Sequence, residues 1–345
     1  MAGRPWETEV VLSKSEMPRE GDPGFAELPT LPGVGAVAPP RVPGSGPQPG
    51  TRVGPYLLTR PLGEGGMAEV WLAQRADGAF KREVALKLPT VSRLRLDLQD
   101  RFARERDILA SLEHPSIARL YDAGVSAEGL PYLAMEFVPG KPVTACCDGR
   151  RLGVRERLVL FLQILEVVQY AHERQVIHRD IKPSNILVSD AGQARLLDFG
   201  VAKLLSDGDE RTDLTQVYGR ALTPDYASLE LLRGEEVGVA ADVYALGVLL
   251  YELLAGVRPY RLEPGSSVLK LQQTIAAIDV PAPSTRPGAE AATARGTTSA
   301  RLARQLKGDL DAIVLKALAK QAGDRHASAQ AMADDLRRHL KGEPA

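Results

Sequence analysis

Apolar positions change their period along this 345-residue chain. Between Tyr56 and Leu88 they fall in short runs, Tyr56–Leu62, Glu69–Gln74 and Val84–Leu88, rich in Val, Leu, Trp and Tyr. Gly-rich and Asp-Gly stretches separate these runs, which predicts an antiparallel meander. Near Leu96–Leu112 the spacing shifts to three and four, and a helix is expected. A further strand, Tyr132–Phe137, leads into Val138-Pro139-Gly140. Beyond it helical periodicity dominates, over Arg155–Glu173, Ala241–Leu254, Leu310–Ala319 and Ser328–Leu340. A β-rich part followed by a larger helical part predicts an α+β chain of two lobes, joined near Glu136–Gly140. Ligand sites favour such junctions. Residues Val280–Ala300 read as a solvated loop inside the helical part, and no internal repeat is found.

Residues 1–50 follow neither period. They hold 10 of the 25 prolines and 8 of the 32 glycines, and only Glu9-Val10-Val11-Leu12 interrupts them with apolar character. Such a segment buries too little surface to offset its ordering entropy. A disordered tail over residues 1–51 is expected, compatible with docking or phosphorylation at Thr8, Ser13, Ser15, Thr30 or Ser45.

Charge and cysteine content narrow the function classes. With 43 Lys+Arg against 44 Asp+Glu the net charge is −1, so no global basic field draws in nucleic acid or an anionic membrane. Nucleic acid is therefore not an expected partner. Two adjacent cysteines, Cys146 and Cys147, exclude a disulfide scaffold and a cysteine-built metal cluster. The most apolar run, Val243–Ala255, is interrupted by Glu252 and is shorter than the roughly 20 residues of a membrane span. The N-terminus lacks the apolar core of a signal peptide. No membrane span is expected, and the location implied is cytoplasmic.

Candidate chemistry starts at Gly63-Glu64-Gly65-Gly66-Met67-Ala68-Glu69-Val70, which lies between two strands. A dinucleotide-binding fingerprint needs a helix after its glycines. A glycine-rich hairpin instead lets backbone N–H groups approach a phosphate chain; alone it is equally a flexible tip. Val84-Ala85-Leu86-Lys87 ends a strand with a lysine, and a lone strand lysine is usually a solvated charge. A partner is suggested by the next helix. Its apolar stripe Leu98, Phe102, Leu109, Leu112 is completed at helical spacing by Glu105. A carboxylate on a burying face needs a cation, and Lys87 is the natural one, unless Glu105 reaches water at the stripe's edge.

The densest stretch is Val176-Ile177-His178-Arg179-Asp180-Ile181-Lys182-Pro183-Ser184-Asn185-Ile186-Leu187, a polar cluster between apolar anchors. Leu196-Leu197-Asp198-Phe199-Gly200 follows. Asp180, Asn185 and Asp198 are the oxygen ligands and base that metal-assisted phosphoryl transfer uses.

These four motifs, GEGGMAEV, VALK, HRDIKPSN and DFG, occur in the order found in protein kinases. From about Tyr56 to Leu340 the chain resembles a eukaryotic-type serine/threonine protein kinase of the kind found in bacteria. The resemblance implies a two-lobed kinase fold over residues 52–345. A small β-rich lobe with one key helix covers about 52–137, and a larger, mainly helical lobe about 138–341. It also implies an enzyme that moves the γ-phosphate of ATP, with Mg²⁺, to Ser/Thr hydroxyls of proteins in signalling, with autophosphorylation through self-association. Backbone around Gly63, Gly65 and Gly66 would cover the phosphates, with Leu62, Val70 and Ala85 beside the nucleotide and Met135, Glu136 and Val138 in the hinge strand. Lys87 would hold the α- and β-phosphates and pair with Glu105. Asp180 would accept the hydroxyl proton, Lys182 would neutralise the transferred group, and Asn185 and Asp198 would hold the metal. Lys182, two positions after Asp180, and Thr223 resemble the serine/threonine pattern.

His178 is by the same likeness structural, Glu230 pairs with Arg325, and Asp242 hydrogen-bonds the His178–Asp180 loop. Alternatives remain a catalytically weak pseudokinase or scaffold and a small-molecule phosphotransferase. The first is disfavoured because every polar residue required is present, the second because the long segment from Asp198 to Glu230 suits a protein substrate. Departures from the pattern are Ala68 for the third hairpin glycine and Ser228-Leu229-Glu230 for Ala-Pro-Glu. Arg179 beside Asp180 invites an anion, and Thr212 and Thr215 are the expected autophosphorylation sites.

Overall fold

The structure, a computed structural model, describes residues 47–64, 68–76, 82–89, 112–199, 224–260 and 267–343. Residues 1–46 of the expected tail, Gly65 and Gly66, the expected helix with Glu105 up to residue 111, and the segment carrying Thr212, Thr215 and Thr223 lie outside the described residues.

Six strands form one sheet: β1 (Arg52–Val53), β2 (Tyr56–Glu64), β3 (Ala68–Arg75), β4 (Glu83–Pro89), β5 (Leu120–Val125) and β6 (Pro131–Glu136). They pair antiparallel in the order β1-β2-β3-β4-β6-β5. Side chains alternate between faces, and here the alternation separates core from site. Trp71, Val84, Leu86, Tyr132 and Ala134 pack in one core with Tyr56 and Leu58. Their neighbours of opposite parity, Val70, Ala85, Lys87 and Met135, take the other face.

The second part holds a three-stranded sheet, β7 (Lys141–Pro142), β8 (Ile186–Val188) and β9 (Ala194–Leu196), in sequence order. Its helices are α1 (Val143–Gly149), α2 (Val154–Glu173), α3 (Leu229–Leu232), α4 (Val239–Ala255), α5 (Val268–Ala277), α6 (Ala289–Ala294), α7 (Ser299–Leu306), α8 (Asp309–Ala317) and α9 (Ala329–Lys341). The four long helices expected from periodicity are α2, α4, α8 and α9, within two residues at each end. The strands likewise begin or end one or two residues from their expected bounds.

Helix α4 is apolar nearly all round, and almost every residue from Ala241 to Ala255 is buried, as in a central helix. Gly247 lets α8 approach: a Cβ there would sit 2.8 Å from that of Ala317. Gly256, at φ +75°, ends α4 in the left-handed conformation that glycine accepts without strain.

Val280–Ala300 is not a plain solvated loop. It carries a 3₁₀ turn at Pro283–Thr285, helix α6 and the start of α7, and Ala292 and Arg295 are buried. The Gly, Pro and Thr content masked a purpose that lies at the end of α4, where the Glu252 carbonyl accepts the Gly256 amide at 2.8 Å and further donors come from arginine side chains. Arg295 donates to Leu253 O at 2.8 Å and to Glu252 O at 3.0 Å, and Arg157 reaches Leu253 O at 3.2 Å. Burial, followed by the nearby Arg157 charge, pushes the Arg295 guanidinium down to about 10, so it stays protonated at neutral pH. Arg295→Met leaves these carbonyls without that donor. The expected loss is about 2–3 kcal/mol, read as a lower urea midpoint at unchanged slope.

Candidate active site

Register across the first sheet aligns the nucleotide-side candidates. Gly63 pairs with Val70, Val70 with Lys87, and Ala85 with Met135. Leu62 sits at a shift in register between Pro61 and Gly63. Val138 is buried just beyond β6. The Glu136 side chain is held from elsewhere: its Oε2 accepts from Arg195 Nη2 at 2.7 Å and from the Arg119 amide at 3.3 Å.

Lys87 reaches across to the second sheet. Its Nζ lies 2.9 Å from Asp198 Oδ2, with both side chains largely buried. The expected pairing with Glu105 falls outside the described residues. Asp198 occupies the left-handed region at φ +58°, which aspartate tolerates better than most residues. Its other oxygen, Oδ1, is buried without a hydrogen-bond partner. A buried, half-satisfied carboxylate is costly, and a cation would satisfy it.

The polar cluster folds onto itself. Lys182 precedes a 3₁₀ turn at Pro183–Asn185, and its Nζ lies 2.8 Å from Asp180 Oδ2. Asn185 Nδ2 donates to Asp180 O at 2.8 Å and to Asp180 Oδ2 at 2.9 Å. With its amide nitrogen directed at Asp180, the carbonyl oxygen of Asn185 is the atom left to ligate a cation. The donor set, one carboxylate and one amide, suits Mg²⁺, which keeps few protein ligands and completes its shell with phosphate and water.

A buried carboxylate organises this loop. Asp242 accepts from the amides of His178 and Arg179, both at 2.8 Å, and from His172 Nε2 at 2.8 Å. Burial pushes its carboxyl up, but the hydrogen bond and field of His172, with the field and backbone amide of His178, outweigh burial and hold it below the usual carboxylate range. Arg179 is thereby kept at φ +66°. The Asp242 expectation is met, with His172 as a participant that the sequence pattern did not mark. His178 is structural, as expected. Its Nδ1 accepts the Asp180 amide at 3.3 Å, so Nε2 carries the proton and donates to Leu197 O at 2.8 Å. Its ring packs 4.7 Å from that of Phe199.

Glu230 and Arg325 also meet. The bidentate pair measures 2.5 and 3.0 Å, and Arg325 is buried, donating as well to Ala240 O at 2.9 Å and Ala319 O at 2.8 Å. The segment before Glu230 is pinned at two side chains: Tyr226 donates to Glu252, and Asp225 pairs with Arg258.

A β-rich lobe and a helical lobe, with Lys87 on Asp198 and Lys182 and Asn185 on Asp180, make the arrangement of a kinase-type fold. Residues 56–336 match the family described as protein kinase domain. A probable serine/threonine-protein kinase of Streptomyces coelicolor is 36% identical over 301 residues, covering 84% of this chain and 41% of the relative. The serine/threonine-protein kinase PknB of Mycobacterium tuberculosis is 35% identical over 300 residues, with 84% and 43% covered. The chain thus spans about two fifths of the length of these curated relatives. The crystal structure of the Mycobacterium tuberculosis PknI kinase domain superposes with a TM-score of 0.61 at 25% identity, covering 86% of this chain and all of that one. The chain belongs to the protein kinase family. Kinases of this family use ATP and Mg²⁺. No described helix is long and apolar enough to cross a membrane.

Proposed function

We propose that the chain is an ATP-dependent protein kinase that phosphorylates serine and threonine hydroxyls of proteins, its own included. The observation that carries this reading is a pair of polar groups, Lys87 with Asp198 and Asp180 with Lys182 and Asn185, each joined at 2.8–2.9 Å, and tied to one another where the Leu197 amide donates to Asn185 O at 2.8 Å. Phosphoryl transfer needs in-line positioning and charge neutralisation more than covalent chemistry from the protein. In the reaction the substrate oxygen bonds to the γ-phosphorus, the bond from that phosphorus to the β-bridging oxygen breaks, and ADP leaves. Asp180 orients the hydroxyl and accepts its proton. Lys182, beside Asp180, offsets the charge of the transferred group. Lys87 leaves Asp198 for the α- and β-phosphates, with Glu105 as its partner, and backbone around Gly63, Gly65 and Gly66 covers the phosphate chain. Leu62, Val70, Ala85, Met135, Glu136 and Val138 form the walls and hinge around the adenine. Asn185 and Asp198 would hold Mg²⁺, which would supply charge neutralisation at the phosphates.

Lys182 at its place after Asp180, together with the named relatives, supports serine/threonine over tyrosine. Use of ATP and the two buried free thiols, Cys146 and Cys147, support a cytoplasmic setting. The test is incubation with Mg²⁺-ATP and a mixed protein substrate, followed by phosphosite mapping. Phosphoserine and phosphothreonine are expected, including sites on the chain itself. Phosphotyrosine alone, or a phosphorylated small molecule without phosphorylated protein, would overturn the reading.

A further inference from the structure

Among the described residues, two ion pairs join the six-stranded sheet to β9 and the loop that follows it. One is Lys87 with Asp198 at 2.9 Å; the other is Glu136 on β6 with Arg195 on β9 at 2.7 Å. Their fates differ once nucleotide binds. The first must open, because the phosphates claim Lys87 and a cation claims Asp198. The second touches neither group and stays available.

The second pair also sits where its position matters. Arg195 Nη2 donates to Ile117 O at 3.3 Å as well as to Glu136. Ile117 lies beside β9 in a parallel bridge to Leu196, closed by Ala118 N to Leu196 O at 2.9 Å and Leu196 N to Ser116 O at 2.8 Å. Glu136 fastens the same stretch from its far side, since its amide donates to Arg119 O at 2.8 Å while its carboxylate accepts from the Arg119 amide. One guanidinium therefore ties β9, the 116–119 stretch and the end of β6 together.

Both side chains are about three-quarters shielded, at 22% and 26% exposure, so water and salt screen the pair less than a surface one. The Arg195 Nε is buried with no partner. That cost is borne for the contacts of the rest of the group. From Arg195 the chain runs without slack to Asp198. Leu197 between them is fixed at both ends, its amide on Asn185 O at 2.8 Å and its carbonyl on His178 Nε2 at 2.8 Å. A shift of β9 against β6 thus moves both metal-ligating residues relative to the hinge strand.

We propose that Arg195 is a positioning residue for nucleotide use: its pair with Glu136 keeps the hinge strand in register with the Asp198 loop when Lys87 leaves Asp198. The proposal rests on the kinase reading above and adds a residue to it. Arg195→Met keeps the buried stem and removes the charge; Glu136→Gln keeps an acceptor for the Arg119 amide. Each is expected to raise KM for ATP about three- to tenfold, with the double variant no worse than the worse single. The exchanged pair Arg195→Glu with Glu136→Arg should recover part of the loss. In the nucleotide-free chain, amide hydrogen exchange at Ala118, Leu196 and Leu197 should quicken in both single variants. Additive losses, a lower KM, or faster exchange with KM unchanged would each overturn the positioning role. A wild-type chain that transfers no phosphate would overturn the kinase reading itself, and that measurement precedes any variant.

Discussion

Asp198→Asn should cut phosphoryl transfer by about 10²–10³ or more while leaving the chain folded. The substitution is close to isosteric, and asparagine accepts the left-handed conformation that Asp198 holds at φ +58° as readily as aspartate does. The amide oxygen can still accept from Lys87, so losing the counter-ion should lower stability without unfolding the chain. What is lost is the negative charge opposite Lys87 and the unsatisfied Oδ1 that would face a cation. Lys87→Ala should be similarly inactive but less stable, because it strands the Asp198 carboxylate at a site only 16% exposed. Comparing kcat with the unfolding midpoint of each variant separates the two effects. Undiminished turnover in folded Asp198→Asn would remove Asp198 from the metal-ligating role.

Much of this site was legible from residue order. The parity that separates Trp71 and Leu86 from Val70 and Lys87 is a property of strands and needs no coordinates. Asp180, Asn185 and Asp198 stand out because polar residues between apolar anchors have few bland explanations, and Lys182 through family likeness. Arg325 with Glu230 and the hydrogen bonds of Asp242 were expected from family likeness alone; no periodicity links positions so far apart. Other features left no local signal. Arg295 and Arg157 carry no mark in the sequence, since an arginine's burial depends on carbonyls it reaches elsewhere, here at the end of α4. Arg195 lies in a three-residue strand too short to show a period, and its partner is distant in sequence. His172 falls beside the buried stripe of α2, and Asp242 alone makes it more than a helix-end polar residue.

The second large effect is expected at Asp242, a residue that contacts no substrate. Its two oxygens accept from the amides of His178 and Arg179 and from His172. In Asp242→Asn one of the two positions becomes an NH₂ group, so at least one buried amide faces a donor instead of an acceptor. Leaving such a donor unpaired costs about 1–3 kcal/mol. The larger consequence is for Arg179, whose positive φ costs of order 1–3 kcal/mol for a non-glycine residue and persists only while its surroundings hold it. Once released, the loop relaxes and carries Asp180 with it. A displacement near 1 Å lowers turnover by about 10²-fold, so kcat should fall far more than the melting temperature suggests. Acid titration gives an independent check. The folded carboxyl of Asp242 titrates below its unfolded value of roughly 3.9. Its contribution is thus fully present above about pH 4 and is lost as pH falls through the folded value. The stability gap between wild type and Asp242→Asn should shrink as pH falls below about 4. A variant with normal kcat, or a gap that widens in acid, would show that Asp242 does not hold the loop as an anion.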